Sequence, residues 1–226
     1  MSLPPGLVVP VAGETLHLLP QRAVWWPAQR CLFIADLHLG KAAAYRALGQ
    51  PVPSGTTQAN LGRLTDLLRA YDPLTLVFLG DFLHAAEART ASVLSELSAW
   101  RAAFSAVRCV LVRGNHDHRA GDPPAALGVE VVDEPWQLGP FAACHHPQAQ
   151  PGRLVLAGHV HPTVTLRGRG RERLRLPCFA LDAHQLLLPA FGEFTGGWTL
   201  SPAPGADLFA VADDGVWRLP SPASGT

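Results

Sequence analysis

The sequence predicts a single α/β domain, with a parallel sheet in its first half and mostly strand in its second. Three observations carry this. Short, continuously apolar runs alternate with segments of helical periodicity as far as residue 112. Beyond Asp122-Pro123-Pro124 the helical spacing stops, and short β pieces follow one another with turn residues between them. The chain has 226 residues and no linker-like stretch, which suits one large domain over residues 1–226 better than two small ones.

Thr15-Leu16-His17-Leu18 and Ala23-Val24-Trp25-Trp26 alternate loosely, which predicts two short strands across a turn at Pro20, with His17 a plain strand residue. Cys31-Leu32-Phe33-Ile34-Ala35 is apolar at every position, the pattern of a strand buried on both faces, and it exits into Asp36-Leu37-His38-Leu39-Gly40-Lys41. A Pro/Gly-rich loop spans 49–55. Leu61, Leu64, Leu67, Leu68 and Tyr71 then recur at helical spacing until Asp72-Pro73 stops the helix. A second buried strand, 74–79, exits into Gly80-Asp81-Phe82-Leu83-His84. Val93, Leu94, Leu97, Trp100 and Phe104 mark another amphipathic helix before a third buried strand, 107–112. That strand exits into Arg113-Gly114-Asn115-His116-Asp117. Gly114 supplies the freedom for a tight turn, so the polar side chains are expected on a loop. Strand–helix alternation implies parallel neighbours, and such sheets gather their ligands at the carboxyl ends of the strands.

The later β pieces are 129–132, 136–138, 141–144, 154–157, 164–166, 174–176, 186–188, 208–211 and 216–219, and 220–226 reads as a frayed tail. Two of these pieces end in histidines, Cys144-His145-His146 and Gly158-His159-Val160-His161.

Charged residues make up 16% of the chain and hydrophobic ones 48%, and the formal net charge is zero, which excludes a nucleic-acid coat and a membrane-surface protein. Any contact with nucleic acid must be local. There is no basic leader followed by an apolar core, and no apolar run approaches the roughly 18 residues of a membrane span, so a soluble cytoplasmic protein is expected. Cys31, Cys109, Cys144 and Cys178 lie far apart without a C-x-x-C pair, as buried thiols do in a reducing compartment. Lys41 is the only lysine among 18 basic residues, a bias that tempers arguments from Arg elsewhere.

Several strands thus terminate in metal-ligand residue types: Asp36 and His38, Asp81, Asn115 and His116, His145, then His159 and His161. Each alone is an ordinary turn residue. Their joint occurrence at one expected sheet edge is what points to a site. Oxygen and imidazole donors without thiolate suit Mn2+, Fe2+, Zn2+ or Co2+, and a shared carboxylate can bridge two such ions about 3.5 to 4 Å apart. A metal pair of this kind suits phosphoester hydrolysis, because it acidifies water and neutralises charge on the phosphoryl oxygens.

The set D-x-H at 36–38, G-D at 80–81, G-N-H-D at 114–117 and G-H-x-H at 158–161 resembles the calcineurin-like metallophosphoesterases. The resemblance implies a four-layer α-β-β-α sandwich, two mixed sheets with flanking helices. It implies that Asp36, His38, Asp81 and His161 hold one metal and that Asp81, Asn115, His145 and His159 hold the other, with Asp81 as the bridge. His116 would contact the phosphate and protonate or orient the leaving oxygen, and Asp117 would polarise its ring. His145 rather than His146 matches the family position, and His84 either faces substrate or caps its loop.

Longer strings, D-L-H-L-G-K at 36–41, R-G-N-H-D at 113–117, C-H-H-P at 144–147, A-G-H-V-H-P at 157–162 and P-A-F-G-E-F-T-G-G at 189–197, resemble the ligase-associated DNA damage response endonuclease PdeM group. This implies a bacterial Mn2+-dependent phosphodiesterase or DNA endonuclease that uses metal-activated hydroxide on single-stranded or structured DNA. It also implies functional association with a helicase, an exonuclease and an ATP-dependent DNA ligase. The ligand types alone give only phosphoester hydrolysis, and leave open a small nucleotide, a lipid headgroup or a phosphomonoester as substrate. A noncatalytic scaffold would have no need of the full ligand set. A homodimer is the prior for assembly.

Lys41 and Arg113 lie beside ligands and are candidate phosphate contacts. Arg167, Arg169, Arg171, Arg173 and Arg175 alternate against a single acid, Glu172, and would share one face of a strand or hairpin, either as a phosphate track or as an ordinary exposed hairpin. The 192–198 segment either closes over the site, offering Phe191, Phe194 and Trp198 to stack bases, or is a packed turn.

Overall fold

In the computed structural model, which describes residues 5–47, 49, 52, 55–193, 195–201 and 204–220, β1 (Leu7–Val11), β2 (Glu14–Leu19) and β3 (Ala23–Trp26) form an antiparallel meander that leads into β4 (Cys31–Ala35). The turn expected at Pro20 joins β2 to β3. Strand β1 escaped the sequence because Pro10 interrupts it, and it survives as an edge strand that, among the described residues, pairs only with β2. Then follow α1 (Lys41–Ala47), α2 (Thr56–Tyr71), β5 (Thr75–Leu79), α3 (Ala91–Ala103), β6 (Arg108–Val112), α4 (Asn115–Ala120) and β7 (Val129–Val132), with β4 to β7 mutually parallel. Thr90 caps α3 by accepting the Val93 N–H at 3.3 Å, and α2 stops where Asp72 turns left-handed at φ 45°. Helix α4 corrects the loop expected after β6.

The second sheet comprises β8 (Trp136–Leu138), β9 (Phe141–Cys144), β10 (Leu154–Ala157), β11 (Pro162–Arg167), β12 (Arg173–Leu181), β13 (Gln185–Leu187), β14 (Trp198–Thr199), β15 (Asp207–Ala212) and β16 (Gly215–Arg218). Its order is β14-β11-β12-β13-β10-β9-β8, with β15 pairing β12 and β16. Both sheets are mixed, as expected.

Period-2 alternation explains how the layers meet. Phe33, Val77 and Leu79 of the first sheet share a core with Phe141, Leu156 and Phe179 of the second, while Leu32, Ile34 and Phe78 point the other way, onto Leu64 and Leu67 of α2 and Leu97 of α3. Val155, Cys144 and Cys178 form a smaller cluster on the outer face of the second sheet, to which no described helix contributes. All four cysteines are buried free thiols, as expected, and burial pushes Cys31, Cys144 and Cys178 up to about 12. Among the described residues no helix is long and apolar enough to cross a membrane.

The register places the site. Ala35, Leu79 and Val112 lie side by side at the ends of β4, β5 and β6, and Cys144 lies beside Ala157 at the ends of β9 and β10. The residues that follow these five positions therefore leave the sandwich at one edge.

Candidate metal centre

The loops after β4 and β5 are laced by backbone hydrogen bonds, His38 N–H to Asp81 O at 2.8 Å and Leu39 N–H to Phe82 O at 2.9 Å. The loops themselves are strained. Asp36, His38, Asp81, His159 and His161 have φ of 53°, 46°, 52°, 67° and 48°, a left-handed conformation that costs a non-glycine residue about 1–2 kcal/mol. Asp and His tolerate it better than most residue types. Five candidate ligands share this conformation. A Cβ at Gly114 would meet Asp81 Oδ1 at 2.5 Å, and one at Gly80 would run into the His145 ring, so both glycines are needed for the loops to close on one another.

Two donor clusters result. In the first, His161 Nε2 lies 3.3 Å from Asp36 Oδ1, His38 Nε2 lies 3.7 Å from Asp81 Oδ2, and the two Nε2 atoms are 3.4 Å apart. In the second, His145 Nε2 lies 2.9 Å from Asn115 Oδ1, 3.1 Å from His159 Nδ1 and 3.5 Å from Asp81 Oδ1. Asp81 thus turns one carboxylate oxygen toward each cluster. His145 Nδ1 donates to Leu79 O at 3.0 Å and His161 Nδ1 to Gly196 O at 3.2 Å, which leaves each Nε2 to act as donor atom toward a cation.

The electrostatics fit a cation. Asp36 and Asp81 are 0% and 3% exposed. Burial, then the Lys41 charge, holds His38 far below its ordinary pKa, and burial, then His145 and His146, lowers His159. Burial opposes the charged form of His161 too, but Asp36 and the Gly196 carbonyl outweigh it and raise its pKa. His145 Nε2 and Asn115 Oδ1 converge at 2.9 Å, two atoms that a cation beside them would share. Asp36, His38 and His161 offer donor atoms within 4.8 Å of one another, and Asp36, Asp81 and His145 do likewise. The donor set of carboxylate, amide oxygen and imidazole suits divalent first-row metals.

The family model for calcineurin-like phosphoesterases matches residues 29–139. The crystal structure of Pseudomonas putida nuclease MPE is 49% identical in sequence, covers 95% of this chain and 100% of its own, and superposes with a TM-score of 0.84. The chain belongs to the calcineurin-like phosphoesterase family. A second solved structure, the E. coli phosphoesterase Yfce, is 18% identical over 84% of this chain and 97% of its own with a TM-score of 0.43, too distant to carry weight. Among curated proteins none matches. Family membership and the clustered His and Asp side chains make this chain a metal-dependent hydrolase.

This calcineurin-like phosphoesterase brings together all seven residues named as ligands from the sequence, but it rearranges their neighbours. Asp117 does not reach the His116 ring. Its carboxylate accepts the backbone N–H groups of Asp81, Phe82 and Gly114 at 2.8, 2.9 and 2.9 Å, so it staples two ligand loops together. Burial, partly offset by the Gly114 N–H, pushes Asp117 up to about 6. The His116 ring is held instead by the His84 carbonyl, 2.6 Å from Nδ1, with Nε2 directed 4.0 Å from Asp81 Oδ2.

His84 stacks between Tyr45 and His116 and places its Nδ1 3.4 Å from Nδ1 of the candidate ligand His38. Burial, then Lys41, lowers it to about 4. Arg113 is not available to phosphate, because its guanidinium is committed to Asp122 at 2.9 Å and to Asp133. Lys41 does sit by the centre. Burial lowers its pKa, while Asp81 and Asp36 push it back up.

Around residues 191–193 and 195–198 the chain is tied down rather than poised to close. Phe191 is fully buried with the Arg63 guanidinium 4.2 Å over its ring, and Glu193 pairs with Arg63 at 2.6 Å. Phe191 therefore cannot stack a base, Phe194 lies outside the described residues, and only Trp198 is exposed, at 71%.

Glu134 had no signal in the sequence. It accepts the N–H groups of His145 and His146 at 2.7 and 2.9 Å and the His146 ring at 2.6 Å. Burial disfavours its charge, but these donors outweigh burial and hold the carboxyl below the ordinary carboxylate range. Glu134→Ala is expected to weaken metal binding at the His145 cluster by about 10- to 100-fold while sparing the His161 cluster. Calorimetric titration of metal into the stripped protein checks this, and two undisturbed sites would remove Glu134 from the support of the centre.

Proposed function

We propose that the protein is a two-metal phosphodiesterase that cuts single-stranded or structured DNA, with Mn2+ as the preferred ion, in bacterial DNA repair. The observation that carries the two-metal assignment is Asp81, whose Oδ1 and Oδ2 face separate donor clusters 3.5 Å from His145 and 3.7 Å from His38. Support for DNA comes from the motifs shared with the ligase-associated endonuclease group and from the 49% identical nuclease. Asp36, His38, Asp81 and His161 would hold one ion, and Asp81, Asn115, His145 and His159 the other. Two divalent cations supply an acidified water and the positive charge that offsets developing negative charge on phosphorus-bound oxygens.

The chain does the rest. The His84 carbonyl fixes the Nδ1 proton of His116, so Nε2 is the atom presented to the bound phosphodiester, where in its protonated form it hydrogen-bonds an oxygen and passes its proton to the departing alkoxide. Lys41, held near both carboxylates by charge, is placed to neutralise a non-bridging oxygen. With Mn2+, hydrolysis of bis(p-nitrophenyl) phosphate and of a single-stranded oligonucleotide is expected. His116→Asn should lower both rates by about 10²- to 10⁴-fold without changing metal content. Activity confined to phosphomonoesters would overturn the assignment.

A further inference from the structure

Strand β11 leaves the metal centre directly, since His161 precedes its first residue. At about 3.3 Å per residue it carries the sheet some 20 Å from that ligand to Arg167. Residues directly opposite in a sheet share a face, and here Thr165 opposes Arg175 and Arg167 opposes Arg173. Val164, pointing the other way, is buried in the core. One outward face therefore runs from Thr163 to Arg167 with Arg175 and Arg173 alongside. Side-chain bonds agree with this, since Arg175 Nε donates to Thr163 Oγ1 at 3.0 Å. The near end is anchored to the site, because Arg175 also donates to Gly197 O while the neighbouring Gly196 O receives His161 Nδ1.

The charges on this face are not balanced by the chain. Like charges directly opposite destabilise a sheet, and Arg167 faces Arg173. Among the described residues no carboxylate pairs with Arg167, Arg169, Arg171 or Arg173, whereas Arg30, Arg63, Arg108, Arg113 and Arg218 each have one. Glu172, the only acid between 166 and 176, lies over Gly168 in the turn. In a chain of zero net charge, such a concentration of exposed, unpaired guanidinium groups calls for an anion from outside.

A line of charges with Thr hydroxyls interleaved matches a polynucleotide backbone better than an acidic protein surface, and it starts where a phosphodiester is cut. Trp198, exposed at the sheet edge and bonded through its backbone N–H to His161 O at 3.1 Å, adds an aromatic face at the near end for a base to stack on. We propose that the outward face of the β11–β12 hairpin is a phosphate track that holds the single strand as it runs out of the metal centre, which rests on the nuclease assignment above.

The test compares wild type with the quadruple variant Arg167→Gln, Arg169→Gln, Arg171→Gln, Arg173→Gln, leaving Arg175 in place because it holds Thr163 and Gly197. Metal-loaded enzyme is assayed across a salt series on a single-stranded oligonucleotide and on bis(p-nitrophenyl) phosphate. Expected for the variant is a kcat/KM on DNA lowered by about 10- to 100-fold at low salt and a log–log salt slope shallower by about 2 to 3, at roughly 0.7 per phosphate contact on single strands. The small diester should be hydrolysed at the wild-type rate, and the Tm should hold or rise as like charges are removed. An unchanged DNA rate and salt slope in the variant would overturn the track alone, as would a loss seen only for binding of polyglutamate. A wild-type enzyme that hydrolyses the small diester but no DNA would sink the nuclease assignment and the track with it.

Discussion

Asp81→Ala is expected to weaken metal binding in both halves of the metal centre and to lower phosphodiester hydrolysis by on the order of 10³-fold or more. The reason is topological. Asp81 follows Gly80 at the end of β5, the strand between β4 and β6, and its two oxygens face the His38 and His145 clusters. His161 and His159, by contrast, each belong to one cluster. Metal analysis of desalted protein should therefore show one ion lost in His161→Asn, the other lost in His159→Asn, and both weakened in Asp81→Ala. Chelation of the wild type followed by addition of Mn2+ should restore activity, and the same treatment should not restore the Asp81 variant. Two equivalents of tightly held metal in Asp81→Ala would refute the shared carboxylate. Asp81 Oδ1 also accepts the His116 N–H at 2.9 Å, so the substitution displaces the proposed proton donor as well and the two losses compound.

The ligand types could be read from the sequence because each follows an apolar run, and a strand buried on both faces has no other pattern. That β4, β5 and β6 end level, and that β9 and β10 do too, is a matter of register that no local pattern encodes. The short helices were missed for a different reason. Asn115–Ala120 holds no apolar stripe, so nothing in its periodicity distinguishes it from a loop. The partners that Asp117 and Arg113 take in the structure follow from contacts distant in sequence. Arg113 finds Asp122 and Asp133, and Glu134 reaches His145 and His146. The family resemblance implied that Asp117 polarises the His116 ring, but consecutive residues on a helix do not face each other. Once α4 starts at Asn115, Asp117 must look elsewhere than its neighbour's ring.

What Asp117 does instead is the basis of the largest expected loss of stability. Three N–H groups at the exits of β5 and β6 depend on its carboxylate, and a buried donor left without an acceptor costs about 1–3 kcal/mol. Asp117→Ala should therefore destabilise the metal-free protein by roughly 3–6 kcal/mol, a large part of the 5–15 kcal/mol typical of a folded domain, and lower its Tm by on the order of 10 °C or more. Asp117→Asn keeps the shape but turns an amide N–H₂ toward one of the donors, so it should cost about one such bond and a few degrees. In both variants metal affinity should fall together with stability, because the loops being released carry Asp81 and Asn115. Thermal unfolding of the stripped proteins, set beside calorimetric metal titration, separates this from a role in polarising His116. A residue acting only on the ring would leave the Tm and metal affinity at wild-type values in Asp117→Asn and reduce turnover alone, and that result would return Asp117 to the proton-transfer machinery.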